Sequence, residues 1–569
     1  MRTPPGLIVS SLLLACANDS GGTATVAGTS GPATAASTST GPEEPGTGTL
    51  TPTSGAAATG SGETSASTSG GTSETGEASS GGEASTDASS GEPVEPDPWA
   101  VRRGIMHLHS PYSHDACDGA GLMDGVANPP CLADLRAALC GTGQDFAFLT
   151  DHPAHMQEYP FDRVLLYSQS EGDELVMTRD AALSNRMRCA DDRRVLVMAG
   201  YEATHTLPLG LHHHVDAKLY AGLTNEVPVA EAKALVAGLQ AGGAVVAMAH
   251  SEEADLSAAR IVEVGLEAME WYNPHGNFKT VLGGDSITAD PAGLLELLQG
   301  LLPFMAGSAS GAHPDLVYLR LLPKWPIEGF KKWREVQRSR AVTGILGSDV
   351  HQNVAVAPLC DNPNPVLQAA CVAAAQAILP DALAGLVTGG TIDMADGGRL
   401  DSYARIMRWL ENRVLTEPGP LTLAMLQDAL RAGHNYGLFS VFGEPEGLRF
   451  VGHAGDQLLW IGDGAAGPVT LELRAPLRPA ALGGAQWSPA EGDKAEIRSE
   501  LWRTDANGSV KVDEAAGLGA QIDVVADEPG AYHVEVYVRP QHLRAALGTE
   551  EALADGEYLW LITNPIRVL

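Results

Sequence analysis

Basic side chains are scarce in this sequence. Lys and Arg total 36 against 70 Asp and Glu, so the 569-residue chain carries a formal charge of −34. A protein that grips duplex nucleic acid needs a basic stripe for phosphate contacts, and electrostatic attachment to anionic lipid needs the same. Both are disfavoured here. Long apolar runs are missing as well, since no segment reaches eighteen uninterrupted apolar residues, the length of a membrane-spanning helix. Cysteine is sparse, and no CxxC occurs among the seven residues, which argues against a cysteine-based zinc site. Residues 17–97 lack Lys and Arg altogether. Their eleven Asp and Glu stand among Ser, Thr, Gly, Ala and Pro, a composition that buries too little apolar surface to offset chain entropy. A disordered, flexible spacer is expected there.

What stands before the spacer reads as an export signal. Arg2 supplies a positive charge, Leu7 to Leu14 a short apolar stretch, and Leu13-Leu14-Ala15-Cys16 a small residue just before a cysteine. That tetrapeptide resembles the lipobox of bacterial lipoproteins. The resemblance implies a lipid anchor on Cys16 and a place at the outer membrane, cell surface or periplasm; an ordinary secretory signal is the alternative. The other six cysteines, an even number, suit an oxidising compartment and up to three disulfides, with Cys360–Cys371 the first pairing to test.

From Trp99 to about residue 355, continuous apolar runs alternate with helical patterns. "GIMHLH" (104–109), "DFAFLTDH" (145–152), "RVLVMAGYEAT" (194–204), "GAVVAMAH" (243–250), "LEAMEWYN" (266–273) and "AVTGILGSD" (341–349) read as strands buried on both faces. Such strands belong to a parallel sheet or barrel with helical crossovers. Helices are expected at 131–141, 228–241, 253–262 and 326–339, and over 400–415 and 421–433. After about 436 the pattern turns to period-two alternation, as in "PVTLELRAP" and "AYHVEVYVRP", which predicts an antiparallel β-sandwich. The expected organisation is a signal at 1–16, a spacer at 17–97, an α/β domain at 98–435 with a helical extension, and a β-domain at 436–569.

Histidines and carboxylates collect where the predicted strands end. His107 and His109 share one face of an extended strand, with His114 beyond them. Asp151 and His152 end the second strand, Glu202 the third, His250 another, and Asp349 with His351 the last. Among His212, His213 and His214, alternation permits 212 with 214, or 213 alone. His155 and His205 lie near these groups and fit them less well. C-terminal strand ends build the active sites of parallel α/β barrels, and mixed imidazole and carboxylate donors suit zinc, manganese or iron.

These motifs, in this order, resemble the PHP (polymerase and histidinol phosphatase) family of metal-dependent phosphoesterases. "HLHSPYSH" matches the family's opening H-x-H-[ST]-x-x-[ST]-[DH], and Thr150-Asp151-His152 its T-D-H. Gly200-Tyr201-Glu202 matches G-[IVL]-E, with an aromatic in the middle, and Gly347 to His351 the closing G-S-D-x-H. The resemblance implies a distorted seven-stranded (β/α) barrel of PHP type holding two or three divalent ions (Zn, Mn or Fe). His107, His109, Glu202 and Asp349 would serve one cluster, with Glu202 bridging. His114, His152, His214, His250 and His351 would complete the others, with His212 the fallback for His214. Position 114 is more often Asp in the family, a departure that bears on the third ion. The stretch 274–340 is longer than a minimal member needs and is expected to form a lid or side wall.

The activity so implied is hydrolysis of small phosphate esters, nucleotides or short oligonucleotides by a hydroxide bridging two ions. Asp151 would orient a ligand imidazole, and His155 is a spare proton donor. Histidines must be neutral to ligate, so activity should fall below about pH 6. Two other readings stand beside it: amide or carbamate hydrolysis on the same scaffold, and a non-catalytic surface binding lipoprotein, which would have a degenerate site.

Overall fold

The computed structural model describes residues 99–179, 181–274, 291–322, 328–356, 360, 363–378, 385–480 and 494–569. The expected signal with Cys16, the spacer and part of the 274–340 stretch lie outside the described residues. The fold is mixed α/β, with one large sheet, a second four-stranded sheet and several helices.

Parallel strands form the frame that positions the site. Ala100–Ile105 pairs in parallel with Phe146–Leu149, which pairs in parallel with Arg194–Ala199. In the four-stranded sheet, Val245–Met248, Ala268–Tyr272 and Thr343–Leu346 run parallel, with Thr206–Leu209 antiparallel at the edge. The apolar runs explain this arrangement, because both faces are buried. Phe146 and Phe148 point into a core shared with Met198, Leu209, Val245 and Ile345 of both sheets. Ala147 and Leu149, on the opposite face, join the larger core. The two sheets meet where their strands end: Leu108 bridges Val350, the Asp349 amide donates to the His107 carbonyl, and the His109 amide to that of Val350.

The expected crossover helices appear as Pro129–Gly141, Val229–Ala241, Ala258–Val264 and Glu328–Gln337. Asn128 caps the first by accepting from the Cys131 amide, and Pro129 and Pro130 fill the turn that needs no N–H. The helix expected over 400–415 stops at Trp409. Glu411–Thr416 is instead a fully buried strand, antiparallel to Ala100–Ile105. Tertiary pairing overrides local propensity there. Arg103 and Arg413 both pair with the buried Glu411, which satisfies that charge only in the extended form.

Beyond 435 the ladders are antiparallel except for the short parallel pair Gly464–Ala465 with Ile566–Val568, and burial alternates along Val469–Arg474. Asn435–Leu438, Glu496–Asp505, Gly530–Arg539 and Tyr558–Thr563 extend the large sheet, while Arg449–Ala454, Gln457–Leu459, Val469–Arg474 and Gln521–Ala526 form another. The six cysteines pair as Cys117–Cys131, Cys140–Cys189 and Cys360–Cys371, the last as expected. Among the described residues no helix is long and apolar enough to cross a membrane.

Candidate metal centre

Four parallel strands deliver polar residues just past their last ladder bond. His107 and His109 follow Ala100–Ile105, Glu202 follows Arg194–Ala199, His250 follows Val245–Met248, and Asp349 follows Thr343–Leu346. One donor atom from each of His107, His109, Glu202 and Asp349 lies within 4.8 Å of the others. A second group, His109, Asp115, His152 and His351, meets the same condition and shares His109.

The hydrogen bonds at the far side of each ring fix what faces inward. His107 Nδ1 lies 2.6 Å from Glu270 Oε1 and can only donate to it, so Nε2 is left to face Glu202 and Asp349, each at 3.2 Å. Ser113 donates its hydroxyl proton to Asp115, so it accepts from His109 Nδ1, and His109 Nε2 likewise turns inward. His152 Nδ1 donates to the Glu202 carbonyl and His351 Nδ1 to that of Asp349. Their Nε2 atoms lie 3.4 and 3.2 Å from Asp115 Oδ2. His250 Nε2 lies 2.7 Å from Glu202 Oε1. Ligand imidazoles are held this way, with one nitrogen engaged by an outer partner and the other presented to the ion. Crowded inward nitrogens and carboxylates fit divalent ions, and this donor set suits borderline metals.

The electrostatics have the same origin. Burial lowers the basicity of His107, but Asp349, Glu270 and Glu202 overcome it and hold its pKa well above the ordinary value. Burial likewise opposes charge on Glu202 and Asp349, yet His107 and the neighbouring His250 or His351 keep both carboxyls well below the usual range. For His109, burial and the charge of His351 win, and its pKa drops to about 4. His152 is pushed up to about 9, because its bond to Asp115 and the charge of Glu202 outweigh burial. Strain adds to this. His250 and Asp349 sit at φ of 51° and 50°, a left-handed conformation that non-glycine residues take at a cost of about 1–3 kcal/mol.

Not every expected residue arrives. His214 is turned away, with Nε2 donating to the Tyr159 carbonyl and Nδ1 accepting from the Tyr220 hydroxyl, so both nitrogens are spent. His213 bonds the His214 carbonyl and is exposed, and His212 packs against Gly243; neither joins the two groups. His114 is exposed, its ring 5.0 Å from that of His152 and 6.2 Å from that of His155. The inward position belongs to its neighbour Asp115. Asp151 accepts from the Ser110 amide and hydroxyl rather than from an imidazole, and burial raises its pKa to about 6.

Glu270 is a further residue of the site, and its signal was the carboxylate between Met269 and Trp271 in the apolar run "LEAMEWYN". Fully buried, it accepts from His107 Nδ1, the His250 amide and the Asn273 side chain. Gly347 is needed beside it, because a Cβ there would stand 1.8 Å from Glu270 Oε1. Glu270→Gln is expected to weaken divalent-ion binding roughly 10–100-fold by loosening the His107 ring. Chelator-competition titration of the folded variant checks this.

The raised pKa of His152 predicts proton release. The metal-free ring stays protonated up to about pH 9, and an ion must displace that proton. Affinity should therefore climb with pH and level off above about 9, which calorimetry in buffers of different ionisation heat would measure. For the metal-free fold the sign reverses. The contribution of His152 is fully present below about pH 6.5, the unfolded value, and is lost as pH rises through about 9.

Comparison with known proteins adds little. No protein-family model matches the chain, and no curated protein does. A solved two-domain protein containing a predicted PHP-like metal-dependent phosphoesterase, from Bacteroides vulgatus ATCC 8482, is similar at a TM-score of 0.29 and 12% identity. The match covers 81% of this chain and 95% of that one, and so weak a likeness leaves the residues above as the basis for any reading.

Proposed function

We propose that this chain is a metal-dependent hydrolase, a phosphoesterase acting on small phosphate esters, nucleotides or short oligonucleotides. The observation that carries this is the set of imidazoles whose outer nitrogens are fixed and whose inner nitrogens converge on shared carboxylates. His107, His109, Glu202 and Asp349 would hold one ion, and Asp115, His152 and His351, with His109, a second. His250 completes the first group from the side of Glu202 Oε1. Bound ions supply Lewis acidity and a water that ionises near neutral pH. The protein's own part is to bind and orient. Glu270, Ser113 and the two backbone carbonyls lock the ring orientations. His114 and His155, at the rim beside His152, are placed to meet a substrate oxygen or to return a proton to the leaving group.

Several wider readings belong with this one. The two sheets, with their common core and the Leu108–Val350 bridge, are read as parts of a distorted seven-stranded (β/α) barrel, and the strands beyond 435 as a β-sandwich. The chain is read as an exported lipoprotein anchored through Cys16, and the three disulfides support an oxidising compartment. A strongly acidic body favours small substrates over long polyanions.

The test is turnover of bis(p-nitrophenyl) phosphate beside an aryl carbamate, each with added manganese or zinc. Phosphodiester hydrolysis that a chelator abolishes and manganese restores is the expected result. No phosphate-ester turnover with any ion would sink the phosphoesterase reading, and carbamate turnover alone would put the amide or carbamate reading in its place.

A further inference from the structure

Pro365–Ile378 is a helix of 14 residues, PVLQAACVAAAQAI, without a charged side chain. In the sequence the nearest charges on either side are Asp361 and Asp381. The first turns are exposed as well as apolar. Residues 363–370 are all exposed, with Val366 at 73% and Leu367 at 54%. Val366 to Ala370 is more than one full turn, so water stands on every side of the helix there. Two other helices show the usual pattern. Leu423–Ala432 buries Leu423, Leu426 and Leu430 along one stripe, and Glu328–Gln337 buries Phe330, Trp333 and Val336. A helix that is apolar all round is ordinarily buried, in a core or in lipid.

Two features hold the helix in place. Ala355–Val356 pairs antiparallel with Gly390–Thr391, so the segment leaves and returns at one ribbon. Cys371, in the middle of the helix, is bonded to the buried Cys360, whose amide donates to the Val387 carbonyl. Around this bridge Cys371, Val372, Ala374 and Ala375 are partly buried, whereas the half before it projects into solvent.

We propose that the first turns of Pro365–Ile378 dock into a lipid bilayer. The choice of lipid rests on the reading of Cys16 as an acylated anchor and is independent of the hydrolase reading. A flexible spacer over 17–97 reaches on the order of 50 Å, so the body stays beside the bilayer that holds the anchor. The helix favours the same occupant. A groove on a protein covers one face of a helix and would leave apolar surface on the other, whereas hydrocarbon covers all of it. No charged side chain has to leave water, so docking needs no ion pair and no anionic lipid. The helix is about 21 Å long against a hydrocarbon core of about 30 Å, so it enters one leaflet and does not span. The anchor sets the distance and the helix the orientation. Because the ribbon starts four residues after His351, docking keeps the metal centre near the lipid.

The full chain carrying Leu367→Trp, on phosphatidylcholine vesicles with and without brominated acyl chains, tests the proposal. The unaltered chain is subtracted for its nine tryptophans. The added indole is expected to emit in the blue and to lose most of its emission to bromine, equally at low and high salt. Adding Val366→Asp is expected to return it to a water-exposed, unquenched emission. Both positions are exposed, so neither change disturbs the core. An indole that stays unquenched while the acylated chain floats with the vesicles would overturn docking and leave the anchor standing. Quenching in a chain that also carries Cys16→Ser would uphold docking without the anchor, and a chain that neither floats nor is quenched would remove both. An unquenched chain that sediments as a dimer, and as a monomer with Val366→Asp, would give this face to a second copy and overturn the proposal.

Discussion

Glu202→Gln is expected to cut kcat/KM on phosphate esters by roughly 10³-fold or more, about 4 kcal/mol of transition-state stabilisation. Like Asp349, which also reaches four imidazoles, Glu202 stands between four of them. Oε2 lies 3.2 Å from His107 Nε2, 3.3 Å from His109 Nε2 and 3.7 Å from His152 Nε2, while Oε1 lies 2.7 Å from His250. The amide keeps the shape and removes the charge. It also points either a poorer oxygen donor or an N–H₂ at nitrogens that need to meet an ion. Both groups should lose metal, unlike Glu270→Gln, which loosens one ring from behind. Elemental analysis beside steady-state kinetics makes the check. A Gln variant within tenfold of the unaltered enzyme, with its metal intact, would remove Glu202 from the centre.

The parallel strands were legible because burial on both faces writes itself as an unbroken apolar run. Their chemistry was legible because polar residues closed each run. What sequence could not show was direction. His114 and Asp115 are neighbours in a tight turn, and either type can ligate. The Ser113 hydroxyl bond to Asp115 decides which one faces in. His214 sits in a run of three histidines and looked like the natural ligand. Two partners distant in sequence or across the turn, Tyr159 and Tyr220, consume its nitrogens. Glu270 was visible in principle, since an isolated carboxylate in a fully buried strand must find a partner. Its partners, His107 and the His250 amide, lie on other strands, so its role waited for the fold. The strand Glu411–Thr416 was missed for a related reason: one of its two ladders and its arginine partner Arg103 come from more than 300 residues upstream.

Removing the Cys117–Cys131 disulfide is the other change with a large expected effect, and two terms oppose each other. Closing a loop of this length stabilises by about 3 kcal/mol in the chain-entropy account. Against it, Cys117 and Asp118 sit at φ of 58° and 56°, and letting that turn relax returns on the order of 1 kcal/mol per residue. The bridge term wins, but narrowly, so global stability should fall by only about 1–2 kcal/mol. The local effect is larger. Asp115 lies two residues before Cys117, whose amide donates to the His351 carbonyl, and the Asp118 amide donates to that of Gln352. Tyr403, 3.7 Å from Cys131 Sγ, donates to the His109 carbonyl. The bridge thus braces the turn that sets Asp115 against His152 and His351, whereas His107, Glu202 and Asp349 are held by buried strands and by Glu270. The Cys117→Ser/Cys131→Ser variant should therefore lose the ion of the Asp115 group first, with the other retained. A metal titration that loses its weaker step and keeps its tighter one is the expected record. Equal loss of both steps would mean that the bridge supports the fold as a whole and not this turn.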